Sequence, residues 1–332
     1  MSKVKKIKTK IGSGIGFFFR HLVASIDFLV NNSIGLIFTR KPQKYNTKTT
    51  NPIWKKGKAV FCFLVVLVLL YNFDNVFNVT LKPLFVFVLN LFGGNKNVYQ
   101  KTLAMYSKDF ANGIRVTLRL SLIGTVLGLV IGLLFSYFIT LKIEHNDNKL
   151  TVFFKRFSQG FVKLYVTVFR GTPMMVQAMI LYYGVKSFLN WDYAIAALVT
   201  ISLNTAAYLT EVLRGSINAL DKGQNEAARS LGLSSWQATK SVIYPQAIKN
   251  AMPSIGNEFV INIKDSAVLT VIPNIVDLFR IAEYASGRFA EPVAAFVIAA
   301  GIYLFLTYTV TKTLRMIEAK LDIPSVELPS AN

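Results

Sequence analysis

Apolar runs about 20 residues long, separated by shorter segments rich in lysine and arginine, dominate the chain from residue 59 onward. A hydrocarbon core roughly 30 Å thick needs on the order of 20 apolar helical residues to cross it. Six stretches reach that scale, at 59–77, 114–139, 172–188, 193–213, 254–275 and 292–314, the third being short. Pro83 to Phe92 is apolar but below spanning length, and reads as an interfacial or re-entrant piece. With six crossings, the positive-inside rule places on the cytoplasmic side the N-terminal tail, the loop with Lys142, Lys149, Lys155 and Arg156, and the longer loop with Arg214, Lys222, Arg229, Lys240 and Lys249. The C-terminal tail with Lys312, Arg315 and Lys320 falls on that side too. The fold class expected is therefore an all-α integral membrane protein.

Composition agrees, since 53% of the 332 residues are hydrophobic and only 16% are charged. The net charge of +20 would suit a nucleic-acid binder, but 13 of the 37 basic residues fall in residues 1–58 and most others lie in loops between apolar runs. That distribution is a membrane-topology signal, not an RNA-binding surface, and no nucleic-acid partner is expected. Residues 1–58 carry Phe17, Phe18, Leu22, Ile26 and Leu29 at helical spacing and fit a basic interfacial helix. No clean signal-peptide cleavage pattern follows it. Lys41-Pro42 through Asn51-Pro52 is a polar linker to the first crossing. The lone Cys62, inside an apolar run, leaves no disulfide framework or multi-cysteine metal site.

The loop between the fourth and fifth crossings, 214–253, has structure of its own. Glu226, Ala227 and Ala228 favour a short helix with a smooth face that another protein can approach closely. Gly232 is placed to end it in a left-handed conformation. Ser234 with Gln237 is a capping-box pattern that restarts a helix at once, and Pro245 and Pro253 mark expected changes of direction. Upstream, Arg170-Gly171-Thr172-Pro173 reads as a sharp helix start, with Thr172 as N-cap and Pro173 at the first helical position, after an amphipathic stretch from about Thr151 to Phe169.

The order Glu226-Ala227-Ala228, three residues, Gly232, nine residues, Val242, one residue, Tyr244-Pro245 resembles the EAA loop of binding-protein-dependent ABC importer permeases, with Val in place of Ile and Tyr in place of Leu. The segments RGTPMMVQ from Arg170, AAYLTEVLRGSI from Ala206, GQNEAARSLG from Gly223, YPQA from Tyr244 and Ile263-Lys264-Asp265-Ser266 fall in the order and spacing of the polar amino acid (histidine, glutamine and arginine type) permease family. One departure is Ser266-Ala267-Val268-Leu269 where that family more usually has Thr-Ser-Leu. The joint match covers about 112–322. The resemblance implies a type I permease-like five-helix core at 112–322, preceded by an N-terminal span and extracytoplasmic segment at 59–111 and followed by a tail at 323–332.

The same resemblance implies a mechanism. Two permease subunits, identical or related, enclose a translocation path, an extracytoplasmic binding protein delivers the amino acid, and a cytoplasmic ATPase dimer supplies the work. ATP and Mg are expected on that partner, because this chain has no G-x-x-x-x-G-K-[ST] loop and no cofactor of its own is expected. Gln224, Glu226, Ala227, Ala228, Gly232 and Pro245 are the implied ATPase-coupling positions. The chain is thus expected to be a transport subunit in a prokaryotic cytoplasmic membrane, with no catalytic or metal-binding residues.

Polar residues within spans are the candidates for the path itself, because burying them in lipid is costly. They are Gln177 in the third span, Asn204, Tyr208 and Glu211 in the fourth, and Asn257, Glu258, Asn262, Lys264 and Asp265 in the fifth. For Lys264 and Asp265 the alternative is a local role at a subunit interface, and for Glu211 with Arg214 a position at the rim of the bundle. Arg280, Glu283 and Arg288, beyond the fifth span, either meet the binding protein or are simply solvated. Two other function classes remain in view. A secondary transporter should show repeated halves, which are not visible, and a membrane enzyme needs a constellation that two histidines, one cysteine and the absence of HExxH and GxSxG do not supply. An ABC permease for another small organic solute stays open.

Overall fold

A computed structural model describes residues 96–144, 147–290 and 292–320, and the first expected span, the interfacial helix at 1–58, Pro83 to Phe92 and the tail at 323–332 lie outside them. The described residues belong to one unit of the chain, Val65–Asn332. They form helices in the order α1 (Lys96–Thr140), α2 (Lys149–Gly171), α3 (Met174–Met179), a π turn (Ile180–Gly184), α4 (Val185–Leu189), α5 (Tyr193–Asn218), α6 (Lys222–Ser230) and α7 (Ser235–Ala238). A second π turn (Thr239–Ile243), α8 (Tyr244–Asp265), a 3-10 turn (Ser266–Val271), α9 (Leu278–Phe289) and α10 (Pro292–Lys320) follow, with no strand among the described residues.

Three of these helices are long and apolar enough to cross a membrane, over Tyr99–Thr140, Tyr193–Asn218 and Pro292–Ala319. A fourth crossing arises if α2 and the Met174–Gly184 segment, bent by 108° at the intervening break, count as one. α1 starts at Lys96, well before the expected residue 114. The expected third span is a short helix widened by a π turn, and the expected fifth changes from α-helix to 3-10 turn after Asp265.

α1 packs most extensively against α5, and glycines make the close approach possible. Gly124, Gly128 and Gly132 lie four residues apart on one side of α1. A Cβ added at Gly124 would stand 2.5 Å from Ile201, one at Gly128 2.6 Å from Thr205, and one at Gly132 3.1 Å from Leu209. Small residues at this spacing let two backbones meet, which favours association between helices in lipid. An apolar cluster of Leu120, Ala178, Tyr182, Ala197, Ile201 and Leu269 joins α1, α5, the bent α3 segment and the 3-10 turn. A second, of Leu209, Leu213, Ala251 and Ile255, joins α5 to α8 nearer the 219–234 loop.

Two expected features differ. Pro245 and Pro253 do not interrupt the helix: Pro245 sits in the first turn of α8 and Pro253 inside it, in helical residues continuous from Ser235 to Val271. Proline at Pro245 lacks an N–H and its ring would crowd the carbonyl four residues back, and the wide π turn just before it absorbs that conflict. Likewise Thr172 is not the N-cap of the following helix. Thr172 closes α2 in extended conformation, and Pro173, with ψ 136°, occupies the N-cap of α3.

Candidate functional site

The 219–234 segment folds as its residues dictate. Asp221 accepts a hydrogen bond from the Gly223 N–H and caps α6. Gly232 has φ 86°, and nothing lies within 4 Å of where its Cβ would be, so backbone conformation and not space demands glycine there. The N–H of Leu233 returns to Ala228 O at 3.2 Å, closing the helix end. Ser234 and Gln237 then form a complete capping box. The α6 surface has two sides: Ala228 is buried, while Gln224, Glu226 and Ala227 are exposed.

This elbow is tied to the bundle at several points. Gln246 donates to Gln224 at 3.2 Å. The Trp236 ring meets Tyr137 edge-on at 5.0 Å, and the Tyr244 hydroxyl lies 3.0 Å from Ser136 and donates to Leu133 O at 3.2 Å. These contacts join α7 and α8 to the last turns of α1. Arg229 reaches Glu144 in the next loop at 3.8 Å, an exposed pair of little energetic weight. In that loop, the Lys155 ammonium holds the Asp147 carboxyl below the usual carboxylate range, through a 2.6 Å hydrogen bond.

The candidate path residues fall into two groups on either side of α5. In the first, the Gln177 amide donates to Phe169 O at 2.8 Å, Thr172 O at 3.0 Å and Thr172 Oγ1 at 2.9 Å, while its oxygen accepts from Asn204 at 3.0 Å. Buried Gln177 therefore supplies partners for the carbonyls that the end of α2 leaves open. Asn204, Tyr208 and Glu211 share one stripe of α5. Arg170 stands over the Tyr208 ring at 5.3 Å and 4.0 Å from Glu211, whose carboxylate is held more closely by Arg214 at 2.7 Å. Gly171 is exposed at the turn. A cleft of 370 Å³ opens here between Lys163, Val166, Thr167, Arg170 and Glu211.

The second group lies on α8. Asn262 is buried at the meeting of three helices: its side-chain amide donates to Thr125 of α1 at 2.8 Å and Thr205 of α5 at 2.9 Å, and its backbone carbonyl accepts from Ser121 at 2.9 Å. Such a satisfied network pins α1, α5 and α8 in register. Glu258 and Asp265, seven residues apart and so on one face, are different. Glu258 is only 8% exposed and Asp265 half-buried, yet no hydrogen bond reaches either carboxylate among the described residues. Asn257 and Lys264 are exposed beside them.

Beyond α8, Arg280 pairs with Glu283 at 2.9 Å and donates to Thr270 O, so both are engaged in holding the 3-10 turn, while Arg288 is exposed. Sequence reasoning passed over Asp277, fully buried, which caps α9 by accepting from the Arg280 N–H and also accepts from Ser266 and Tyr303. Its Asp-x-x pattern ahead of a helix was the available signal. The glycines of α1 were missed too, although their four-residue spacing stands plainly in GTVLGLVIG.

Comparison with known proteins adds a family. Residues 149–320, just over half of the chain, match the family of binding-protein-dependent transport system inner membrane components. A putative glutamine transport system permease from Rickettsia conorii (strain Malish 7) is 34% identical over 230 residues, covering 68% of this chain and all of that protein. An arginine transport system permease from Bacillus subtilis (strain 168) is 36% identical over 63% of this chain and 90% of its own length. Among solved structures, an amino acid ABC transporter crystallised with histidines matches 66% of this chain and 96% of its own, with 33% identity and a TM-score of 0.57. The helical bundle is thus of the type I permease kind. With just over half of its length matched by the family and its fold shared with a solved amino acid transporter, this chain belongs to the binding-protein-dependent transport system inner membrane components, as the permease subunit of an ABC importer in which ATP hydrolysis falls to a separate subunit.

Proposed function

We propose that this chain carries polar amino acids across the cytoplasmic membrane as one of a pair of permease subunits, identical or related. A dimeric ATPase carrying ATP and Mg acts on the α6 elbow from the cytoplasm, and an extracytoplasmic binding protein delivers cargo at the opposite end. Both termini lie on the cytoplasmic side in this reading. The names of the relatives, glutamine and arginine permeases, support the cargo class.

The observation that carries the reading is the pair Glu258 and Asp265, two acidic groups with no hydrogen-bond donor among the described residues, beside exposed Asn257 and Lys264 on a helix packed within the bundle. Lipid is a costly neighbour for that face. A second permease subunit and an aqueous path remove the cost, and the carboxylates suit the ammonium that every amino acid carries. At the other end, exposed Gln224, Glu226 and Ala227 on a short helix fixed by Asp221 and Gly232, with exposed Pro245 further along the chain at the start of α8, form a surface suited to a protein that pushes. Rigid rocking of the bundle against its partner then alternates access.

The test is uptake into proteoliposomes holding the full importer without ion gradients. Labelled glutamine or arginine should enter only with ATP and the ATPase, and E258Q with D265N should cut uptake at least about tenfold while complex assembly persists, the loss expected when a charged hydrogen-bonding partner is removed. Uptake that follows an ion gradient without ATP would overturn the coupling, and competition by solutes lacking an ammonium would overturn the cargo.

A further inference from the structure

α2 presents three faces along its 23 residues. Val162 and Val166 are buried, and the Tyr165 hydroxyl reaches across to Leu203 O, so one face rests on the bundle. A second face exposes Leu150, Phe153, Phe157, Phe161, Leu164 and Val168, three or four residues apart. The third holds Lys149, Arg156, Lys163 and Arg170 at intervals of seven residues, two helical turns, in a single exposed row roughly 30 Å long. No acidic side chain pairs with Lys149, Arg156 or Lys163 among the described residues, and the acid near Arg170 is already held by Arg214.

The helix slants from the elbow end of the bundle to the middle of α5. Near its start, Lys155 donates to Lys142 O and Gln159 to Leu141 O, just past the end of α1. At its finish, Arg170 lies by Glu211, within the last two turns of α5. The start of α2 therefore sits near the end of the bundle that carries the α6 elbow, its last turns lie against Leu203 and Asn204 midway along α5, and the chain turns by 108° before α3 departs towards the opposite end.

We propose that α2 slants through the leaflet on the elbow side, its phenylalanine face among the acyl chains and its Lys149–Arg156–Lys163–Arg170 row bound to the headgroups of anionic phospholipids. A helix with an aromatic and aliphatic face, a basic face and a third side on protein matches the boundary between headgroups and acyl chains. An acidic leaflet supplies the charge that the described residues leave unprovided along the row. The inference rests on the membrane location of the family and not on the cargo, so loss of amino acid specificity in the uptake assay leaves it standing.

Two measurements on the complete importer test it. In mixed bilayers, spin-labelled phosphatidylglycerol should associate with the protein at least about threefold more strongly than spin-labelled phosphatidylcholine. The K149Q/R156Q/K163Q variant should bring that ratio close to unity. Separately, a nitroxide on F157C, in a C62S background with the basic row intact, should be reached by oxygen and shielded from a water-soluble nickel chelate. An unchanged lipid ratio in the triple variant, or a label at position 157 open to nickel, overturns the proposal. Release of the ATPase by the triple variant with the lipid ratio intact would overturn it as well, assigning the row to a protein contact.

Discussion

Gly232 and Asn262 show how single residues carry constraint in this chain for opposite reasons. Gly232 is demanded by backbone angle alone, with φ 86° and open space around its missing Cβ. Gly232→Val should cost about 1–2 kcal/mol in the turn, the usual expense of left-handed backbone for an L-residue. Membrane insertion should persist while co-purification of the ATPase and ATP-driven uptake fall, and pull-down of the tagged permease measures this. Asn262 is demanded by its partners. Asn262→Leu leaves Thr125 and Thr205 facing each other without the amide between them and should destabilise the bundle by about 1–3 kcal/mol, the range for orphaned buried polar groups. Thermal unfolding of the detergent-solubilised complex should register it. From the sequence, Asn262 was one of several polar residues in a span, indistinguishable from Glu258; only the three-helix junction separates a satisfied amide from an unsatisfied carboxylate.

At the scale of elements, the joints deserve the same physical reading as the helices. The α1–α5 seam depends on contact between backbones, so Gly128→Leu, whose first added carbon already falls 2.6 Å from Thr205, should force the helices apart. Overpacking of a filled seam costs about 1–3 kcal/mol, and a lower thermal midpoint with more rapid proteolysis would report it. The α2–α3 bend depends on Gln177, which takes over carbonyls that α2 leaves unpaired. Gln177→Leu should loosen that bend by about 1–3 kcal/mol, visible as broadened distances between spin labels placed in α2 and α3. The helix start near Thr172 was legible in sequence to within one residue, because proline announces it. That Gln177 is the staple was not legible, since the staple acts through carbonyls several residues away and through Asn204 on another helix.

For the whole molecule, the decisive quantity is which surfaces meet lipid, a partner or water. Hydropathy spacing alone settled that the chain belongs in a bilayer, because apolar runs of spanning length have no other stable solvent. Local chemistry alone settled the elbow, because the Asp221 cap, the left-handed Gly232 and the Ser234–Gln237 box are interactions among near neighbours in the chain. Tertiary structure decided the rest. It bent the chain by 108° between α2 and the Met174–Gly184 segment, carried Pro245 and Pro253 within one helical run, and divided the polar span residues into those that join helices and the two carboxylates left open on α8. Periodicity gives the angle of a side chain around its own helix, but the neighbour it meets there depends on how the helices cross, and that is fixed by packing between residues more than a hundred positions apart.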